Sequence, residues 1–244
     1  MNIIGIIPAR FASTRFPGKP LVDIKGKTMI RRVYEQVQKA KKISDVIVAT
    51  DDERIVAEIE KIGGRAIMTA DYHESGTERC AEVLEKIGQD LKVDYVVNIQ
   101  GDEPFINPDL IDELCEILDR ETKLATAVLK IKESAVLFDP NVVKAVIGEN
   151  GQALYFSRQA IPFVRGEEPE NWLKHASFYK HIGIYAYRAD ILKEIVKLPM
   201  HRLESTEKLE QLRWLGHGYP IRVCETQFES VGIDTPEDLQ KVKD

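Results

Sequence analysis

Between Pro8 and Leu21 the chain reads Pro-Ala-Arg-Phe-Ala-Ser-Thr-Arg-Phe-Pro-Gly-Lys-Pro-Leu. Arg10, Arg15 and Lys19 place three cations among small and hydroxyl residues, and no acid precedes Asp23. A loop of this kind can wrap a polyphosphate, with backbone N–H groups as donors and the cations offsetting the charge. The spacing is neither Gly-x-Gly-x-x-Gly nor Gly-x4-Gly-Lys-Ser/Thr. Most support for a dinucleotide-binding dehydrogenase or a P-loop NTPase is thereby lost. A solvated surface loop with clustered cations has the same composition.

Acids elsewhere could serve the same chemistry. In Asn98-Ile99-Gln100-Gly101-Asp102-Glu103-Pro104-Phe105, an acid follows an apolar run on a turn with Gly and Pro. Mg²⁺ favours one or two carboxylates plus phosphate oxygens, so Asp102 is the candidate ligand and Glu103 the weaker one. An ordinary turn reads the same way. In Val231-Gly232-Ile233-Asp234-Thr235-Pro236-Glu237-Asp238, Thr235 is a helix N-cap, Pro236 takes the first helical position and Asp238 answers as the capping-box acid. Asp234 stays outside the helix, free to join a partner carboxylate such as Asp102. Ser75-Gly76-Thr77-Glu78-Arg79 opens a helix, where backbone donors and a hydroxyl suit a base, a ribose or an anion, or only a cap. His181, Tyr185, Glu210 and Gln211 form a scattered polar set. His181 and Tyr185 share a strand face because their separation is even. A lone His there is more often a core residue than a catalyst. His73, His175, His201 and His217 show no metal spacing.

The elements that must carry these residues alternate. Apolar runs at Ile3–Pro8, Val46–Ala49, Ala66–Met68, Tyr95–Ile99 and Leu124–Leu129 read as buried strands. Between them lie helical faces: Ile30/Val33/Tyr34/Val37, Ile55/Val56/Ile59/Ile62 ending at Gly63-Gly64, Cys80/Leu84/Ile87, and a helix opened by Asn107-Pro108. Such alternation predicts parallel βαβ units in an α/β core. Ligands in open sheets of this kind sit beyond the strands' carboxyl ends, where the cationic loop falls. From about residue 130 the pattern changes. Val142–Ile147 and Ala153–Phe156 predict a hairpin turning on Asn150-Gly151. Residues 164–176 read as a long exposed loop, His181–Tyr187 as a strand, and Pro220–Cys224 as the last strand. Ser205 is expected to cap one helix carrying Leu209, Leu212 and Trp214. The expected organisation is a single α/β domain over 1–244 with a β-rich insertion or arm at about 131–188.

Composition narrows the class. With 244 residues a sizeable core needs no staples. Net charge is −6, from 34 basic and 40 acidic residues, which argues against a dedicated nucleic-acid binder. Three scattered cysteines suggest neither a disulfide framework nor a zinc site. The N-terminus lacks a basic n-region, and no apolar stretch nears the ~18 residues of a membrane span. A soluble, cytoplasmic protein is expected.

Assembled in order, these segments resemble the 3-deoxy-D-manno-octulosonate (Kdo) cytidylyltransferases, the CMP-Kdo synthetase family. The segments are 8–21, Ala-Thr-Asp at 49–51, 75–79, 98–104, Ala-Leu-Tyr-Phe-Ser-Arg at 153–158, His-Ile-Gly-Ile-Tyr-Ala-Tyr at 181–187, Leu-Glu-Gln-Leu-Arg at 209–213 and Gly-Ile-Asp-Thr-Pro-Glu-Asp-Leu at 232–239. The resemblance implies an open, mostly parallel sheet of the nucleotide-diphospho-sugar transferase type. It implies that CTP and Kdo give CMP-Kdo and pyrophosphate with Mg²⁺, for lipopolysaccharide assembly, in a homodimer made through the β-rich arm. A close Kdo analogue, such as an 8-amino form, or another acid sugar is the alternative substrate. It further implies Ala9, Arg10, Arg15, Lys19, Ser75, Gly76, Thr77 and Gln100 at the nucleotide, and Arg79, Gln100, Arg158, His181, Tyr185, Glu210 and Gln211 around the sugar. Asp102 and Asp234 would hold the metal, and with Lys19 and Arg10 form the catalytic set. A nucleotide-binding module without catalysis would be expected to have lost one of the two aspartates.

Overall fold

The computed structural model describes residues 1–12, 16–87, 92–229 and 231–243. Strand β1 (Ile3–Ala9) is buried and alternates between the two faces of the sheet. Ile3 and Ile7 face one core cluster, Ile4 and Ile6 the other. The loop after it closes into a 3-10 turn at Lys19–Leu21 and a small hairpin, β2 (Asp23–Ile24) with β3 (Lys27–Thr28). Then α1 (Met29–Val37), β4 (Asp45–Thr50), α2 (Glu53–Glu60), β5 (Arg65–Met68), α3 (Gly76–Ile87), β6 (Tyr95–Asn98), α4 (Pro108–Glu116) and β7 (Leu124–Lys130) keep the alternation. The expected caps are in place. The Asn107 side chain accepts from Asp109 N at 2.9 Å, and Gly63 takes a φ of 72° just past α2.

The chain continues through α5 (Ser134–Phe138), β8 (Lys144–Ile147), β9 (Ala153–Ser157), α6 (Trp172–His175), β10 (Tyr179–Arg188) and α7 (Ala189–Ile195). It ends with α8 (Arg202–Glu207), α9 (Gln211–Gly216), β11 (Ile221–Thr226) and α10 (Pro236–Lys243). The sheet runs β11-β7-β10-β6-β1-β4-β5 and stays open. β6, β1, β4 and β5 are parallel, as are β7 and β11, and β10 enters antiparallel between β6 and β7. Helices α1, α2 and α4 cover one face; α3, α7 and α9 cover the other.

The β-rich stretch therefore divides. β8 and β9 form the predicted hairpin, with Gly151 at φ 72°, and β8 pairs with the start of β10. Most of β10 instead crosses the main sheet. Against β7 its register shifts between Ile182 and Tyr185, inserting Gly183 and Ile184. Two extra residues preserve the alternation, so the rings of His181 and Tyr185 still meet at 5.3 Å.

Two expectations need correction. The exposed loop at 164–176 contains a 3-10 turn at Pro169–Asn171 and then α6, whose Trp172 is buried among Ile131, Leu137 and Phe178. The helix expected from Ser205 is two helices, with Ser205 inside the first. His201 caps α8 in a capping box with Glu204, and Lys208 in the left-handed region (φ 55°) breaks the chain before α9. All three cysteines are free and buried. No helix among the described residues is long and apolar enough to cross a membrane.

Candidate active site

The first loop leaves β1 at the carboxyl edge of the sheet. Gly18 N donates to Phe11 O at 3.1 Å, and Gly18 sits at φ 71°, which a side chain would strain. That closure sets Lys19 at the start of its 3-10 turn. The neighbouring turn after β6 lies tight against β1: a Cβ on Gly101 would meet Pro8 O at 2.6 Å. Its next residue is Asp102, whose carbonyl accepts from Ile233 N at 2.9 Å. That bond brings the C-terminal segment alongside, with Ile233 and Leu239 packed on Ile24 and Met29. Thr235 and Asp238 form the predicted cap, each accepting from the other's backbone N–H at 3.2 Å.

Lys19, Asp102 and Asp234 consequently meet. Lys19 Nζ donates to Asp102 Oδ2 at 2.7 Å and to Asp234 Oδ1 at 3.1 Å, across 215 residues of sequence in the second case. Two carboxylates converging on one ammonium are a pair of hard oxygen donors suited to Mg²⁺, which needs few protein ligands when phosphate oxygens complete its shell. Among the described residues no group of three or more His, Cys, Asp or Glu that could hold a metal is present.

These residues line a cleft of about 310 Å³ together with Ala9, Arg10, Ser75, Gly76, Arg79 and Gln100. Arg15 lies outside the described residues. Ser75 caps α3, its hydroxyl accepting from Glu78 N at 3.2 Å while Glu78 accepts from Ser75 N. Gly76 leaves room against Pro8, whose ring a Cβ would approach to 3.2 Å. Gln100 Nε2 donates to Gly183 O at 2.9 Å, tying this turn to the irregular stretch of β10.

Arg79 lines the cleft with its guanidinium already engaged. It is 3% exposed and donates to Asp51 (2.6 Å), Thr69 (2.7 Å) and Ala70 O (3.0 Å). Asp51 also accepts from Phe11 N at 3.3 Å. The pair thus fastens α3 and the end of β4 to the base of the first loop. Asp51 follows β4 directly, and Asp102 lies four residues beyond β6, so both acids belong to segments that leave the carboxyl edge of the sheet. His73 and Glu74 also line the cleft without having been singled out. His73 Nε2 lies 2.5 Å from Glu82.

None of the remaining polar residues, Thr77, Arg158, His181, Tyr185, Glu210 and Gln211, lines this cleft. Thr77 is buried, donates to Glu210 Oε2 at 2.8 Å, and shares a 3.2 Å contact with the Tyr187 hydroxyl. Asn98 reaches the same hydroxyl. Burial raises the Glu210 carboxyl above its ordinary range, against the opposing bonds from Thr77 and Ser75. Glu210 lines an adjoining cleft that shares Glu74 and Ser75 with the first. His181 contacts Thr126 Oγ1 at 2.9 Å, and burial pushes its pKa down to about 3. Tyr185 is buried and stacks on Tyr187. Gln211 is buried at the start of α9. Arg158 donates to Glu207 O at 2.8 Å and to Pro140 O at 3.3 Å.

An open α/β sheet with a cationic loop after β1 and a carboxylate pair at its carboxyl edge has the architecture of a nucleotidyltransferase. The family model described as Cytidylyltransferase matches residues 4–223. A 3-deoxy-manno-octulosonate cytidylyltransferase of Cytophaga hutchinsonii is 51% identical over 243 residues, covering 99% of this chain and 96% of that protein. One from Parabacteroides distasonis is 52% identical over 246 residues, with coverage of 99% and 96%. The solved structure of CMP:2-keto-3-deoxy-manno-octonic acid synthetase complexed with CTP superposes with a TM-score of 0.91 at 41% identity, covering 100% of this chain and 97% of that one. The chain belongs to the 3-deoxy-manno-octulosonate cytidylyltransferase family.

Proposed function

We propose that the protein transfers the CMP moiety of CTP to the anomeric hydroxyl of Kdo, giving CMP-Kdo and pyrophosphate, the activated sugar for lipopolysaccharide assembly. The observation that carries this reading is the convergence of Asp102 and Asp234 on Lys19 in the cleft beyond β1 and β6. The sugar oxygen bonds to the α-phosphorus while the bond from that phosphorus to the pyrophosphate oxygen breaks. The hydroxyl proton passes to water. Such transfers need positioning and charge stabilisation more than covalent help.

The chain's own residues supply both. Arg10, Arg15 and Lys19 bind the triphosphate, with Ala9 and Gln100 beside it. The Ser75–Thr77 turn faces the cytosine, offering the backbone N–H groups of Gly76 and Thr77 at the start of α3. Arg158, Gln100, His181, Tyr185, Glu210 and Gln211 surround the acid sugar, where an arginine suits the carboxylate by a bidentate pair. Arg79 is reassigned from the sugar to positioning, because its guanidinium is engaged by Asp51 and Thr69. His181, neutral with a pKa near 3, is a weak proton acceptor and serves as a contact. Asp102 and Asp234 would hold Mg²⁺, which when bound supplies charge neutralisation at the phosphate oxygens. The enzyme would work in the cytoplasm as a homodimer, with the segment around the β8–β9 hairpin as its contact.

A pyrophosphate-release assay with CTP and Mg²⁺ tests the reading against Kdo, its 8-amino analogue and a sialic acid. Kdo is expected to give the highest kcat/KM. Higher kcat/KM with the analogue would reassign the substrate, and no release with any of them would overturn the proposal.

A further inference from the structure

We propose that Lys19 competes with the divalent cation for Asp102 and Asp234, so that the metal seats on the pair only when the triphosphate draws the lysine's charge away. The inference rests on the reading of the two aspartates as metal ligands, and goes beyond it by giving Lys19 control over when they are available.

The geometry is specific. The ammonium bonds one oxygen of each carboxylate, at 2.7 Å and 3.1 Å. Lys19's side chain is only 13% exposed, so its charge has left much of its water and depends on these anions. The aspartates depend on it in turn, since two converging carboxylates repel unless a cation lies between them. Mg²⁺ bonds carboxylate oxygens at about 2.1 Å, and the second oxygen of each carboxylate is too near the first to take the metal clear of the ammonium's charge. Like charges that close cannot share the pair without a large loss of energy.

The competitor is tethered but movable. Lys19 N donates to Phe16 O at 3.2 Å and Pro20 follows directly, so the backbone is fixed. The four-carbon stem can still swing its ammonium to another anion. A triphosphate in the same cleft offers one. Nucleotide and metal then bind with positive coupling through one side chain, and the carboxylates stay paired and preorganised beforehand.

The test uses Mn²⁺ alone, with no nucleotide, followed by the electron paramagnetic resonance signal of free Mn²⁺. Wild type, Lys19→Gln, Lys19→Arg and Lys19→Gln/Asp102→Asn are compared after circular dichroism shows that each is folded. Lys19→Gln is expected to bind Mn²⁺ roughly tenfold or more tightly than wild type, because a neighbouring positive charge is gone. Lys19→Arg keeps the charge and should stay near wild type. The double variant should lose the gain. Equal or weaker binding by Lys19→Gln, with the double variant weaker still, overturns the competition while leaving the aspartates as ligands. If adding Asp102→Asn to Lys19→Gln leaves Mn²⁺ binding unchanged, the underlying metal reading falls as well.

Discussion

Asp102 and Asp234 are 29% and 51% exposed, so neither is held in place by burial. Their worth to the fold is small and their worth to the reaction large, which separates the two readouts. Asp102→Asn and Asp234→Asn are each expected to cut turnover on the order of 10²-fold or more, with the thermal midpoint nearly unchanged. Steady-state kinetics at saturating Mg²⁺ beside a melting curve checks this, and near wild-type turnover would remove that residue from the site. His181 presents the opposite case. Its folded pKa near 3 lies below the ordinary histidine value, so the unfolded chain binds the extra proton between about pH 3 and 6.5. Stability is therefore complete above that window and falls through it by about 1.4 kcal/mol per pH unit from this group. Melting at pH 7, 6, 5 and 4 should show a shallower decline for His181→Gln than for wild type. Lys19 is legible in the sequence from the cations clustered after the first apolar run, Asp102 from its turn after another, and Asp234 from the cap that follows it. Arg79's engagement with Asp51 is not, since nothing in the spacing says that the end of β4 lies beside the first turn of α3.

Elements place these residues through a few close approaches. Gly101 permits the turn after β6 to rest on the Pro8 carbonyl, and any Cβ there would intrude to 2.6 Å. Gly101→Ala is expected to lower kcat by at least about tenfold by displacing Asp102, since misplacement of about 1 Å can cost 10²-fold. The charge of the site stays intact, so wild-type kcat in that variant would show that the turn can give way. Lys144 on β8 is buried, with its ammonium donating to the carbonyls of Asp139, Val142 and Arg158 at 2.8, 2.6 and 2.5 Å. Lys144→Met leaves those carbonyls unpaired, and a loss of about 3 kcal/mol in denaturant unfolding is expected. The hairpin that carries Lys144 was readable from Asn150-Gly151, because the turn's need for a positive φ is written in the residue type. The division between α8 and α9 was not. Leu209, Leu212 and Trp214 read as part of one helix opened at Ser205, whereas the His201 capping box starts α8 earlier and the left-handed Lys208 ends it before α9. Periodicity registers neither a histidine acting as a cap nor an αL residue other than Gly or Asn.

At the scale of the whole molecule, strand order is what the sequence withheld. Alternation of strand and helix implies parallel units, and β6, β1, β4 and β5 follow it. The insertion of β10 between β6 and β7 depends on which faces remain to be covered, a property of the assembled sheet rather than of any segment. Only the start of β10 reaches the outlying segment that carries the proposed dimer contact, through its pairing with β8. There Phe138 and Phe163 flank the buried Trp172, with ring centroids 5.4 and 5.0 Å away, and Phe163 is 73% exposed. Single exposed apolar residues are ordinary, but aromatic rings gathered over a buried tryptophan form a patch that water covers at a loss. A second copy could cover it without touching the cleft. Phe163→Glu puts a charge at that contact, where a buried unpaired carboxylate is strongly unfavourable, yet the exposed side chain leaves the protomer's fold undisturbed. Light scattering at micromolar concentration is expected to give twice the 27.7 kDa chain mass for wild type and the single chain mass for Phe163→Glu. Circular dichroism of the two should coincide. Wild type at the single chain mass would refute the homodimer, and a dimeric Phe163→Glu would move its contact elsewhere on the surface.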